Sequence, residues 1–237
     1  MNILITGASR GIGFHTAIAF CRQKTDRLIL VARNSQKLAS LKQECKKINP
    51  HVTILTVPFD IENLLSGDVQ FLKLINDFTD SIDILINNAG LLESKQFELF
   101  SSESAQKIFN VNFFAPAQLI RQLLPLLKKS SNAHVVNISS MGGFQGSVKF
   151  PGLSYYSASK AALANLTECL AEEYKETAIK FNCLALGAVQ TEMLSEAFPG
   201  YHAPIEPDAM ADFIAEFASN GQRFFNGKII PVALSTP

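Results

Sequence analysis

The chain has 237 residues, 47% of them apolar, which suits one α/β domain with a sizeable core, and a single domain over residues 1–237 is expected. Its 21 lysines and arginines balance 21 aspartates and glutamates, so no basic field exists to attract nucleic acid or anionic lipid, and neither partner is expected. No apolar run reaches the roughly 20 residues that cross a bilayer, and Met1 is followed almost at once by the strand-like Ile3-Leu4-Ile5, which leaves no room for a signal peptide.

In chain order the pattern alternates between short apolar, β-branched runs and longer segments with helical spacing. A strand is predicted over Asn2 to Thr6, a helix over Gly13 to Lys24, a strand over Arg27 to Ala32 and a helix over Ser35 to Ile48, where Leu38, Leu41 and Cys45 share one face. Next come a strand over Val52 to Val57, a helix over Ile61 to Phe78, a strand over Ile82 to Asn87 and a long helix over Ser102 to Lys129. The strand His134 to Ser139, the helix Tyr155 to Tyr174, the strand Ile179 to Ala185, the helix Pro207 to Ser219 and the strand Lys228 to Val232 complete the series. Runs such as Ile82-Asp83-Ile84-Leu85-Ile86 are too continuously apolar for a strand with one wet face. A doubly wound parallel seven-stranded sheet with helices on both faces follows, and such sheets bind ligands beyond the carboxyl ends of their strands.

Four motifs sit at those ends. Thr6-Gly7-Ala8-Ser9-Arg10-Gly11-Ile12-Gly13 joins the first strand to the first helix, where glycines allow a tight turn and close approach to a pyrophosphate; alone it would also pass for an ordinary turn. Asn87-Asn88-Ala89-Gly90 follows the fourth strand, Ser140 the fifth, and Tyr156-Ser157-Ala158-Ser159-Lys160 opens the helix beyond. Together and in this order, over residues 2 to about 193, they resemble the short-chain dehydrogenase/reductase family of the core short-chain type. The resemblance implies a Rossmann fold, an NAD(P) cofactor and hydride transfer between nicotinamide and a small carbonyl or secondary alcohol.

Tyr156 and Lys160 lie four apart on a predicted helix, so both emerge on one face. A free tyrosine, with a pKa of about 10, is a poor base at neutral pH, and a neighbouring ammonium favours the phenolate. A bare Y-x-x-x-K would read as a surface lysine beside a half-buried tyrosine; the other motifs argue for general acid/base work. Tyr155 is the rival, but four residues on it meets only Ser159. Ser140 is expected to hydrogen-bond the substrate oxygen, and the family pattern gives it this role rather than Ser139. By the same resemblance Asn112 kinks its helix and supports a proton relay to Lys160, although a mid-helix asparagine often merely faces solvent and Asn110 lies close by. Phe144, Phe150 and Leu153, in a loop longer than is common, suggest a partly apolar substrate wall.

Binding residues implied for the cofactor are Gly7, Ser9, Arg10, Gly11, Ile12 and Gly13 of the first turn, Asp60 near adenine, Asn88-Ala89-Gly90, Tyr156 and Lys160, with Gly187, Val189 and Thr191 at the nicotinamide end. Leu186 stands where the family has proline. At the end of the second strand Ala32 occupies the position of the acid that binds the NAD ribose, and Arg33 follows it, so with Arg10 two cations favour NADP(H) over NAD(H). Residues 192–206, broken by Pro199, Gly200 and Pro204, are expected to form a short lid. Cys21, Cys45, Cys169 and Cys183 form no C-x-x-C pair, and the four histidines occupy unrelated elements, so no metal site is expected and the thiols fit a reduced, cytoplasmic setting. The carboxyl end lacks the Asp-Gly-Gly common in tetrameric members, leaving both homodimer and homotetramer open. The competing reading is a non-catalytic NADP-binding sensor, which would have little need for Ser140, Tyr156 and Lys160 together. An extended-type sugar-nucleotide epimerase would require a larger carboxyl-terminal region.

Overall fold

Residues 1–23 and 25–234 are described by a computed structural model; Lys24, the predicted end of the first helix, lies outside the described residues. The elements are β1 (Asn2–Thr6), α1 (Gly11–Arg22), β2 (Arg27–Ala32), α2 (Ser35–Ile48), β3 (Thr53–Pro58), α3 (Val69–Phe78), β4 (Ile84–Asn87), α4 (Ser102–Phe109), α5 (Ala115–Leu127), β5 (His134–Ser140), α6 (Ser154–Glu173), β6 (Lys180–Leu186), α7 (Glu192–Ala197), α8 (Pro207–Asn220) and β7 (Lys228–Val232). The seven strands form one parallel sheet in the order β3-β2-β1-β4-β5-β6-β7. The chain winds outward from β1 through β2 to β3, then returns to β4 and winds the other way. The reversal opens a crevice between β1 and β4, the place where ligands of such sheets bind.

Alternation along each strand distributes the core. Ile3 and Ile5 of β1 pack with α1, α2 and α8 on one face, and Leu4 packs with α3, α5 and Phe181 on the other. Both faces are therefore covered, as the continuous apolar runs required.

One predicted helix is broken and another runs through a π-helical turn. The segment from Ile61 starts as a 3-10 helix to Ser66, stops at Gly67 with φ +78°, and restarts where Asp68 caps α3 by accepting from the backbone N–H groups of Gln70 and Phe71. The helix expected from Ser102 divides into α4 and α5 around a π-helical turn, Asn110–Phe114, whose buried member is Asn112. The stretch 192–206 begins with α7, a six-residue helix with no buried residue that Pro and Gly signals had concealed. The remaining boundaries agree with the prediction to within two residues. Leu186 extends β6 by one residue, pairing with Val232 of β7. Among the described helices none is long and apolar enough to cross a membrane.

Candidate active site

At the carboxyl ends of the strands a cavity of about 750 Å³ runs from the end of β2 across the crevice to residues 192–201. Of the residues expected to bind or catalyse, all line it except Gly13 and Asn112.

Those two act from behind the wall. A Cβ on Gly13 would sit 2.5 Å from Asn88 Nδ2 and closer still to the Gly7 carbonyl oxygen, so glycine there is what lets α1 close onto the turn. Asn88 holds the same junction: its amide donates to the carbonyl oxygens of Thr6, at 3.0 Å, and Gly7, at 3.3 Å. The Thr6 hydroxyl in turn accepts from the backbone N–H groups of Asn88 and Ala89. Asn112 ties the β4 loop to α6. It accepts from Leu91 N–H at 2.8 Å and donates to Leu91 O at 2.8 Å and to Ser159 Oγ at 3.0 Å, and the Ser159 hydroxyl donates to Tyr156 O at 2.7 Å. Asn110, by contrast, bonds Glu62 and Gln106 outside the cavity.

The β2 end of the cavity carries Ala32, Arg33, Asn34 and Lys37. Asn34 caps α2 by accepting from Lys37 N–H at 2.9 Å, which seats Lys37 in the first turn beside Arg33. Arg33 is 73% exposed and its guanidinium lies 3.9 Å from the Asp60 carboxylate, a loose pair. Arg10 is turned elsewhere: it donates to Glu196 at 2.9 Å and so bridges the glycine turn to α7. Sequence reasoning missed Lys37, which the N-cap at Asn34 could have signalled.

At the opposite end Tyr156 and Lys160 lie beneath the cavity with Ser140. Burial pushes the Tyr156 hydroxyl up, and a hydrogen bond from Ser140 pulls it back toward the phenolate. Lys160 is buried and its pKa falls to about 8 through desolvation; its ammonium donates to Ile138 O at 2.8 Å. Cys183 of β6 lies beside Lys160, its thiol pushed up to about 12 by burial, another neighbour the sequence did not reveal. Ser139 also borders the cavity, but its hydroxyl is engaged by Lys160 O, to which it donates at 2.8 Å, clamping α6 to β5. Tyr155 packs between Phe97, at 5.6 Å, and Phe100, at 5.0 Å, and does not line the cavity.

A family model for the short chain dehydrogenases matches residues 1–202. This chain belongs to the short-chain dehydrogenase family. It is 36% identical over 195 residues to the ketoacyl reductase HetN of a Nostoc species; the match covers 81% of this chain and 65% of that protein, so the chain spans just under two thirds of that relative's length. Its fold is that of the L-sorbose reductase of Gluconobacter frateurii solved with NADPH and L-sorbose, with a TM-score of 0.87 at 23% identity over 99% of this chain and 95% of that one. The 3-ketoacyl-(acyl-carrier-protein) reductase of Brucella melitensis, solved with NADH, superposes with a TM-score of 0.83 at 25% identity over 97% and 95% of the two chains.

The short-chain dehydrogenases are oxidoreductases, and in this chain glycines keep the cavity open. A side chain at position 11 would fill the throat between the glycine turn and the Thr191 methyl, 3.4 Å away, and Gly11 leaves it open. Thr191 caps α7 by accepting from Leu194 N–H at 3.3 Å, which joins the β6 end to α7. Gly187 donates its N–H to Val232 O at 2.9 Å, and a Cβ there would meet Ala233 at 2.6 Å. Of the three apolar residues expected at the substrate wall, Phe150 and Leu153 line the cavity and Phe144 does not.

The other groups weighed from the sequence lie away from the cavity. His134 is buried, its Nδ1 bonded to Ala218 O at 2.9 Å and its Nε2 to the Asn182 amide at 2.9 Å; burial lowers its pKa to about 4. The four cysteines are free thiols.

Proposed function

We propose that this chain is an NADPH-dependent reductase of a carbonyl compound, with Tyr156 as proton donor, Ser140 orienting the carbonyl oxygen and Lys160 assisting Tyr156. The observation that carries this reading is the single cavity that joins Tyr156, Ser140 and Lys160 at one end to Arg33 and Lys37 at the other, with alanine at position 32. Gly7, Ser9, Arg10, Gly11 and Ile12 would hold the cofactor's pyrophosphate, Asn88, Ala89, Gly90 and Asp60 its adenosine side, and Gly187, Val189 and Thr191 its nicotinamide end. Bound there, the cofactor supplies hydride to the carbonyl carbon or takes it from the alcohol.

The protein's part is electrostatic and positional. Ser140 Oγ and the Tyr156 hydroxyl converge, so one carbonyl oxygen can accept from both and negative charge developing on it is met by two donors. As that charge grows Tyr156 releases its proton to the oxygen, and the Lys160 ammonium, held at Ile138 O, stabilises the phenolate left behind. Asn112, through Ser159 and the Tyr156 carbonyl, fixes the first turn of α6 on which Tyr156 stands. Residues 192–206 act as a lid, latched to the glycine turn by Arg10 and Glu196. NADPH is favoured because Arg33 and Lys37 offer two cations to a 2′-phosphate and residue 32 offers no carboxylate to a ribose hydroxyl.

The test is a panel of carbonyl compounds with NADPH and, separately, NADH, followed at the reduced-nicotinamide absorbance band. Turnover with NADPH that exceeds that with NADH and collapses in Tyr156→Phe is expected. Equal use of both cofactors would refute the preference, and full activity without the Tyr156 hydroxyl would refute its role.

A further inference from the structure

We infer that the substrate is a neutral carbonyl compound carrying an apolar chain or ring, admitted between Phe150 and Phe198. The inference rests on the placement of the reacting carbonyl at Tyr156 and Ser140. Beyond those two hydroxyls the cavity wall is built from two segments that approach from opposite sides. The loop after β5 contributes Met141 and Leu153, both buried, and Phe150; the lid contributes Met193, Leu194 and Phe198. Phe150 and Phe198 meet edge to face with ring centroids 6.5 Å apart, near the outer limit of aromatic contact, so little is lost when the rings part. Phe150 remains 36% exposed and Tyr201, also on the wall, 50% exposed. Apolar surface left wet at a cavity mouth is surface that an apolar ligand removes from water.

Charge points the same way. Among the described residues the cations lining the cavity are Arg10, Arg33, Lys37, Lys107 and Lys160. Arg33 and Lys37 belong to the β2 end, Arg10 is held by Glu196, Lys107 stands on α4 near Glu93, and Lys160 is held by Ile138 O. Lys149, on the Phe150 loop, donates to Phe144 O at 2.6 Å and to Ser147 Oγ. The lid adds an acid, Glu192, to the wall. An anionic group carried past Phe150 and Phe198 would leave water for an apolar wall, which is unfavourable.

A matched pair tests this: 2-octanone and 7-oxooctanoate have the same ketone and nearly the same reach, and differ in a terminal carboxylate. With NADPH, kcat/KM is expected to favour 2-octanone by at least about 100-fold. Phe150→Ala and Phe198→Ala are each expected to lower the ratio of kcat/KM for 2-octanone over acetone by about 10-fold or more, mainly through KM, whereas Phe224→Ala, a remote and exposed aromatic, leaves the ratio unchanged. Turnover of 7-oxooctanoate within a few-fold of 2-octanone, or a ratio indifferent to both variants, would overturn the inference. Calorimetric titration of both ketones into the NADP⁺-loaded protein separates it from the catalytic assignment. Selective binding of 2-octanone without turnover would discard Tyr156 as proton donor and uphold the substrate class; failure of 2-octanone to bind would discard the class.

Discussion

Arg33→Ala is the sharpest probe of cofactor choice. The guanidinium is 73% exposed and its nearest carboxylate, Asp60, lies 3.9 Å away, so the pair contributes well under about 1 kcal/mol and restrains the side chain little. Removing it should leave the unfolding free energy within about 0.5 kcal/mol of the parent, as for most surface changes. A hydrogen bond to a charged group contributes about 1.5–3 kcal/mol, and the exposure of Arg33 favours the lower half of that range, so NADPH should bind roughly 10- to 40-fold more weakly. NADH, which lacks the 2′-phosphate, should bind within about 2-fold of the parent. Calorimetric titration with both cofactors at low and raised ionic strength reads this directly, and the NADPH advantage should shrink as salt rises. Arg10→Ala serves as the contrast: because Arg10 pairs with Glu196, its loss should weaken both cofactors alike. Equal losses for NADPH and NADH in Arg33→Ala, or a selective loss of NADPH in Arg10→Ala, would refute the division of labour between these arginines.

Tyr156→Phe should lower kcat by at least about 100-fold, the usual worth of a general acid, while both cofactors bind as before; turnover and cofactor affinity measured on one preparation decide it. Gly13→Ala forces a Cβ against the Gly7 carbonyl and Asn88, so the melting temperature should fall by on the order of 5 °C, and an unchanged melt would show that the turn can give way. His134 titrates at about 4 when folded and about 6.5 when unfolded, so protons bind the unfolded chain first. Its contribution is complete above about pH 6.5 and is lost as pH falls toward 4, amounting to about 3 kcal/mol. Urea unfolding at pH 7 and pH 4.5 should show this slope in the parent and a flatter one in His134→Asn; identical slopes would mean the imidazole is protonated inside the fold.

Much of the fold was legible because strand and helix periods are local. Ile3, Leu4 and Ile5 had to serve two faces, and the structure sends Leu4 to one core and its neighbours to the other. The breaks were less visible. Gly67 and Asp68 are by residue type a helix stop and a helix start, but the apolar spacing runs across them, and the left-handed backbone at one and the capping bonds of the other end the predicted helix. The π-helical turn at Asn110–Phe114 falls where the family resemblance set the kink at Asn112, but its partners, Leu91 and Ser159, come from other elements. Phe144 and Phe150 are alike in sequence and lie on one loop, yet only Phe150 reaches the cavity.

What the sequence by itself determined is therefore the order of strands and helices, the glycines that let β1, α1 and β4 close on one another, and the Tyr156/Lys160 spacing, since each follows from backbone period, side-chain volume or helical pitch. Which partner each long side chain takes was decided by tertiary structure. Arg10 and Glu196 are 186 residues apart in the chain, and no local pattern links them until α7 is laid beside the glycine turn. Lys160 is four residues from Tyr156, but the carbonyl of Ile138 on a neighbouring strand holds its ammonium. Phe150 and Phe198 become two sides of one mouth because β5 and β6 run side by side and deliver their loops to the same end of the sheet. Charge pairing and apolar contact act through space, so their outcome depends on the packed sheet that brings these loops together.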